Sequence, residues 1–431
     1  MTASTAPVEE PQAAPAAATP DRPVGGGERI VALDFIRGVA VLGILFANIT
    51  AFGHPLVAYF WPEALPGGGS MADRWIWLFQ FVFVDGKFRG LFTLLFGAGM
   101  YLFMGRVWAR GQTRRLQARR LFWLMLFGIA HFYLLFIGDI LFLYSISGFV
   151  VLAMLRWSAR TQLWVGLAWF ALGSLAFSAA MGTPAALEGL PEARMQAPEA
   201  WQEIEEGWQD QLTASREEAE VVRDGSYGDV VSYRVDEQSS QLALYAFMGV
   251  FETMPLMLIG MALLRFGFFE AALDRRKMRR WGWIGLAGGA LVSLALGWWA
   301  VAQGFPPYLT QFLFNGASAF PRLPMVLGAA SLLALWAPAA ARGWLGSRFV
   351  AAGRMAFSNY IGTSLAMTLV FQGWAGGLYG QLDRAGLLVV VLAAWALMLA
   401  WSKPWLARFR YGPLEWLWRC LTYWKPFPLR R

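Results

Sequence analysis

The sequence predicts an all-α, polytopic transmembrane helix bundle: about ten membrane-spanning helices, with an interfacial or re-entrant helix after the first. Three observations predict it. Apolar runs of 17 or more residues recur along most of the 431-residue chain. Each is long enough to cross a hydrocarbon core at about 1.5 Å per residue. Hydrophobic residues make up 57% of the chain and charged ones 15%, where a soluble domain carries about a quarter charged. Finally, the charges sit between the apolar runs, basic in one set of connections and acidic in the other. A large soluble α-solenoid would need charged helix faces, which these segments lack.

Residues 1–29 read as a disordered cytoplasmic tail, because 1–27 are rich in Ala, Pro, Gly and Thr and offer almost nothing to bury. They have no apolar core and so do not resemble a signal peptide. The N-terminal transmembrane region, 30–181, opens with a helix over 34–53, followed by an aromatic, Pro- and Gly-rich connection suited to a headgroup interface. The stretch 73–105 is too long for one crossing and is broken at Asp85-Gly86-Lys87. Its first part is expected to be the re-entrant or interfacial helix, and 88–105 the second crossing. The next connection, RVWARGQTRRLQARR, holds six arginines and no acid, which marks it cytoplasmic. Crossings over 121–137, 140–156 and 161–181 follow, with a tight outer turn at Gly138-Asp139.

The segment 182–240 carries 14 acids against four arginines and is expected outside as an acidic extracytoplasmic loop, amphipathic near 200–222. The C-terminal transmembrane region, 241–403, holds crossings over 241–264, 281–302, 322–338, 350–371 and 385–402, with basic connections returning to the inside. The tail 404–431 is basic and expected in the cytoplasm. Parity then holds through ten crossings, giving a bacterial inner (plasma) membrane protein with both termini cytoplasmic. The net charge of +8 follows the connections and not one soluble face, which argues against nucleic acid. One cysteine, Cys420, excludes an intrachain disulfide and a Cys-based cluster, and two histidines, His54 and His131, leave little for a metal. No metal and no permanently bound cofactor are expected.

Polar groups inside lipid cost several kcal/mol unless paired, so each is a candidate for function. Asp34 and Arg37, one helical turn apart at the inner end of the first crossing, read as a structural ion pair or as part of an anion contact. Asn48 lies further out and serves either as interhelical glue or as a substrate contact. His131 lies in the outer half of the third crossing and is the side chain suited to take and return a proton near neutral pH. The plain alternative is a histidine bonded to a neighbouring helix. Asp139, eight residues on, is about two turns away, so only a bent turn or another helix can bring an acid to the imidazole. Glu252, three residues before Pro255, lies mid-crossing beside the carbonyl of Phe251 that the proline leaves free, and must be protonated or paired. Asp85, Lys87 and Arg89 place three charges beside flexible backbone, either an ordinary loop or the lip of a polar cavity. Arg354 and Asn359 form a further polar cluster with Tyr360. Arg354 can snorkel or hold a phosphate. No phosphate-binding glycine loop, zinc-protease motif or nucleophile elbow is present.

Five blocks, RIVALDFIRGVAVLGILFANI, KFRGLFTLLFGAGM, RRLFWLMLFGIAHFYLLFIGDILFLYSISG, GRMAFSNYIGTSL and YGPLEWLWRCLTYWKPFPLRR, resemble in order those of the YeiB-like bacterial inner-membrane family, domain of unknown function 418. The resemblance runs from Arg29 to the C-terminus and is weakest over 182–240. It implies a membrane protein with no established reaction, described as transport-associated. The opening block also resembles that of integral-membrane acyltransferases, such as heparan-α-glucosaminide N-acetyltransferase and bacterial sugar O-acetylases, with Arg29, Asp34 and Arg37-Gly38 at the matching positions. Those proteins move an acyl group from cytoplasmic acyl-CoA to an extracytoplasmic acceptor. Many carry a histidine where this chain has Asn48, which leaves His131 to supply the base here.

Three readings therefore stay open. In transmembrane acyl transfer, acyl-CoA is the cosubstrate, an envelope glycan or lipid the acceptor, His131 the base, and Asp139 or Glu252 its orienting acid. Arg37 and Arg354 would then contact phosphate, and the acceptor would enter near Asp85–Arg89. In transport of a small solute, the broken stretch 73–105 and Glu252 carry the function. In a non-catalytic scaffold, 182–240 docks another envelope protein. Oligomeric state is left open, and the lipid bilayer is the one partner common to all three.

Overall fold

A computed structural model of the chain describes residues 30–65 and 69–431; the expected tail 1–29 lies outside the described residues. Helices α1 (Val31–Gly53) and α2 (Val57–Phe60) lead to α3 (Met71–Phe83) and α4 (Lys87–Ala109). Then come α5 (Arg115–Leu134), α6 (Leu141–Met154) and α7 (Ala159–Gly189). The acidic segment holds α8 (Pro191–Gln196), α9 (Pro198–Asp224) and α10 (Tyr227–Asp236). The second half has α11 (Ser239–Arg265), α12 (Arg275–Ala302), α13 (Pro307–Gln311), α14 (Ala319–Ala340), α15 (Trp344–Arg354), α16 (Ala356–Phe371), α17 (Arg384–Arg408) and α18 (Pro413–Tyr423).

Among the described residues, seven stretches are long and apolar enough to cross a membrane: α1, α3 with α4, α7, α11, α12, α14 and α17. The shorter apolar α6 and α16, together with α5, complete the expected set. The bundle is an all-α polytopic membrane fold. Its axis is α1, 78% buried over its most apolar window against 22% for α7, α12 and α17. Those outer helices instead expose Trp164, Leu172, Trp281, Leu291, Trp298 and Val389, the apolar area that lipid covers.

Several boundaries differ from expectation for local reasons. The crossing expected over 121–137 stops at Leu134, where Leu135 and Phe136 both turn their N–H groups onto His131 O and the chain reverses. The crossing expected over 350–371 is two helices, broken at Met355. The helix expected over 161–181 runs on to Gly189 with Pro184 inside it. The segment 182–240 is helical and docked: Arg234 Nη1 donates to Tyr133 O at 3.2 Å and Tyr227 OH to Leu134 O at 3.0 Å. These bonds satisfy carbonyls left open at the end of α5. The bundle thus has an acidic end, roofed by α9 and α10, and an arginine end, where α1 and α5 begin and α4 stops.

The expected C-terminal tail is structured too, and it fixes α16. Glu415 on α18 accepts from the backbone N–H groups of Phe357 at 2.8 Å and Ser358 at 3.1 Å, in the first turn of α16. Ser358 Oγ donates to Glu415 and accepts from Leu414 N at 3.0 Å. Each helix thereby caps the other's N-terminus. Glu415→Ala should destabilise the folded chain by about 1–3 kcal/mol in detergent unfolding, with Glu415→Gln milder. Burial raises the Glu415 carboxyl above its ordinary 4.5 despite these bonds. Its contribution should therefore be fully present below the unfolded value and fade as pH rises through the folded one. A midpoint unchanged in Glu415→Ala would count against the clasp.

Candidate active site

The turn between α5 and α6 builds the most ordered polar cluster of the acidic end. Asp139 is returned beside the last turn of α5, where its Oδ1 lies 2.8 Å from His131 Nδ1. Its Oδ2 accepts from Phe142 N at 2.6 Å and so also caps α6. This approach needs a glycine at 128, since a Cβ there would stand 2.3 Å from Phe142 N and 2.9 Å from the Asp139 carboxylate. The other ring nitrogen, His131 Nε2, lies 2.8 Å from Ser364 Oγ on α16. His131 and Asp139 side chains are fully buried, and Ser364 is 2% exposed. With Asp139 ionised, Nδ1–H donates to the carboxylate and Nε2 is left to accept the serine hydroxyl, in competition with Tyr360 O at 3.3 Å on the same helix as the serine. Hydroxyl, imidazole and carboxylate are thus in line, the order that a nucleophile, base and orienting acid take in a catalytic triad.

Ser364 also faces a cavity of ≈ 10 Å³ lined by Val41, Ile44, Leu45, Asn48, Phe52, Tyr360 and Thr363, about the room one water needs. Tyr360 OH accepts from Ile140 N at 3.3 Å, which leaves its own proton to donate elsewhere.

Glu252 is not part of this cluster. Its two oxygens meet Arg89 Nη2 at 2.5 Å and Arg322 Nη1 at 3.0 Å, joining α11, α4 and α14. Arg322 also bonds Ser318 Oγ at 2.9 Å. Asp85 and Lys87 are buried at the α3–α4 break, where Gly86 has φ +74 and a Cβ would lie 2.4 Å from Arg322 Nε. Only glycine lets the backbone turn there against a guanidinium. Lys87 Nζ donates to Phe81 O, while Asp85 Oδ1 has no hydrogen-bond partner among the described residues. Beside them Arg384 binds Gln80 Oε1 at 2.7 Å and Ala58 O at 2.9 Å. Tyr144 of α6 joins the network, its OH lying 2.8 Å from Thr93 Oγ1 and 3.3 Å from Arg89 O.

The remaining candidates lie elsewhere. Asn359 ties three helices, donating to Ala352 O at 3.1 Å and Ser402 Oγ at 3.2 Å and accepting from Trp401 at 2.9 Å. His54 bonds Leu382 O at 2.7 Å, and burial lowers its imidazole below the ordinary 6.5, so it is a neutral tie. At the arginine end, Arg37 donates to Asp34 at 2.9 Å. Both line a cavity of ≈ 290 Å³ with Phe103, Arg106, Arg110, Arg120, Tyr411, Arg419 and Tyr423. Arg354, at the α15–α16 break, does not line it.

Ser364, Arg322, Arg384 and Arg419 escaped the sequence reading. A serine in an apolar helix carries no signal by itself, and the arginines sit near helix ends where snorkelling explains them.

The family model "Protein of unknown function (DUF418)" matches residues 263–425. The chain is 33% identical over 402 residues to the uncharacterized protein YeiB of Escherichia coli (strain K12), covering 92% of this chain and 96% of that one. It is 29% identical over 430 residues to the uncharacterized protein YxaH of Bacillus subtilis (strain 168), covering 94% and 97%. An uncharacterized 39.9 kDa protein of Bacillus acidopullulyticus is 27% identical over 412 residues. No solved structure matches.

Removing Glu252 strands the buried guanidinium of Arg322 and leaves the partly exposed Arg89 without its carboxylate. Glu252→Ala should cost about 1–3 kcal/mol in reversible unfolding in detergent, and adding Arg322→Met should recover part of it. Equal stability of Glu252→Ala and wild type would show that the trio is solvated and energetically idle.

Proposed function

We propose that this chain, which belongs to the YeiB-like family of membrane proteins of unknown function (DUF418), transfers an acyl group to an envelope acceptor through His131, Asp139 and Ser364. The observation that carries the reading is the pair of 2.8 Å contacts on the two nitrogens of one imidazole. Ser364 Oγ attacks the carbonyl carbon of an acyl thioester as its proton passes to His131 Nε2. The carbon–sulfur bond breaks and the leaving thiolate takes that proton. An acceptor hydroxyl then attacks the Ser364 ester and gives its proton to the imidazole. Ser364 recovers the proton as the acyl–oxygen bond breaks. Asp139 holds the ring and steadies the imidazolium formed twice in this cycle.

Asn48 and Tyr360 share the space beside Ser364 and are the donors assigned to the developing oxyanion. That space holds about one water, so acyl entry requires α1 and α16 to part. The arginine end is assigned to the cytoplasm of a bacterial inner membrane, with both termini, and the acidic α8–α10 to the outside. The acceptor, an envelope glycan or lipid, is then met from the side of Asp85–Arg89. A second reading, solute transport, rests on the partly buried Glu252–Arg89–Arg322 trio.

In membrane vesicles supplied with a labelled acyl donor, envelope material should become labelled. His131→Ala and Ser364→Ala should each lower the rate by about 10³-fold or more, and Asp139→Asn comparably. Labelling that is equal in His131→Ala and wild type sinks the chemistry. Solute uptake without any acyl donor, lost in Glu252→Gln, would favour transport. Reporter fusions within 182–240 should be active only on the outer face, and cytosolic activity there would reverse the orientation.

A further inference from the structure

The cavity at the arginine end has no task in the chemistry above, and its lining is unusual. Among the described residues, it is lined by the guanidinium groups of Arg37, Arg106, Arg110, Arg120 and Arg419 and by the carboxylate of Asp34. That carboxylate is already engaged by Arg37 at 2.9 Å. Arg120 is clamped between the rings of Phe103 and Trp418, at 4.8 and 4.3 Å. Arg419 lies among Tyr411, Tyr423 and Phe427, at 5.2, 5.3 and 4.8 Å, and its buried Nε has no hydrogen-bond partner among the described residues. Aromatic stacking fixes both planar forks while leaving their N–H edges unspent. Arg120 and Arg419, on one half-open cavity and without an ion pair among the described residues, repel each other unless an anion lies between them. The volume, ≈ 290 Å³, is near the lower end for small-molecule sites.

We propose that this cavity, walled by α1, α4, α5 and the C-terminal helix α18, binds the phosphate groups of a polyanionic ligand, through Arg120 and Arg419 as preset forks. Two sources share that chemistry: a nucleotide-linked thioester carrier of the coenzyme A type, and an anionic lipid headgroup. The carrier is the source that fits the acyl-transfer reading, and only the identity of the cargo rests on that reading. The face of α1 that lines this cavity at Asp34 and Arg37 continues through Val41, Ile44 and Leu45 to Asn48 beside Ser364. Arg37 and Asn48 are separated by roughly 16 Å of helix rise, a span for an extended carrier arm.

The test is calorimetric titration of the full chain in phosphatidylcholine nanodiscs with coenzyme A, ADP and inorganic phosphate, at physiological salt. Coenzyme A should bind saturably, more tightly than inorganic phosphate. Arg419→Gln and Arg120→Gln should each weaken it by roughly tenfold or more, about 1.4 kcal/mol per decade. Arg419→Lys keeps the charge without the fork, so it should retain the wild-type unfolding midpoint and still weaken binding. Arg279→Gln, in the separate groove bounded by Trp283 and Trp336, should change it less than about twofold. His131→Ala should bind normally.

In a second arm, phosphatidylglycerol is added to the discs without nucleotide. Saturable lipid binding lost in Arg419→Gln, with no nucleotide binding, supports the phosphate site and assigns it to a headgroup. Binding of neither ligand, or binding indifferent to both Arg120→Gln and Arg419→Gln, overturns it. Intact coenzyme A binding with no acyl transfer would leave this site standing and remove the acyl-transfer reading.

Discussion

Where water cannot follow, a charge must find its partner inside the protein, and this bundle is arranged around that requirement. Moving a single carboxylate or guanidinium out of water costs several kcal/mol even after the surroundings relax, and the ion pair formed repays it only with good geometry. Each buried polar cluster here draws its members from different helices. Glu252 binds α11 to α4 and α14 through two arginines. The imidazole of His131 binds α5 to the α5–α6 turn and to α16. Asn359 binds α16 to α15 and α17. In lipid, apolar surface gives little reason for one helix to prefer another. These polar joints are what select the arrangement.

The central helix separates two environments of opposite character. Near its start, guanidinium groups line a half-open cavity; near its end, a buried imidazole, carboxylate and hydroxyl meet. Between them α1 presents aliphatic side chains, buried on nearly every side. A helix with so little polar decoration makes a poor path for water or ions, so anything that communicates between the two ends has to travel as an apolar or shielded group.

Much of this was legible in the residues. Apolar length and the alternation of basic and acidic connections gave the crossings, because both follow from transfer energies that act locally. His131, Asp139 and Glu252 stood out because ionisable groups in apolar runs are rare. What stayed hidden depends on distance along the chain. Ser364 meets His131 across 233 positions and Arg322 meets Glu252 across 70, and no local pattern encodes such pairings. The break at Met355 carries no proline, only Gly353 two residues before it. The C-terminal helix was masked by its charge count: six basic residues against one acid over 404–431 read as a solvated tail. That lone acid, Glu415, is the residue that docks it.

Glu415 and Arg419 are one turn apart on α18, an eleven-residue helix too short to bend. One grips the first turn of α16; the other faces the cavity at the arginine end. Ser364 lies two turns further along the gripped helix, which begins at the Met355 break and is tied to its neighbours through Asn359. One short, straight strut therefore carries both the carboxylate that seats the serine-bearing helix and a guanidinium of the distant cavity, so neither can be repositioned without the other.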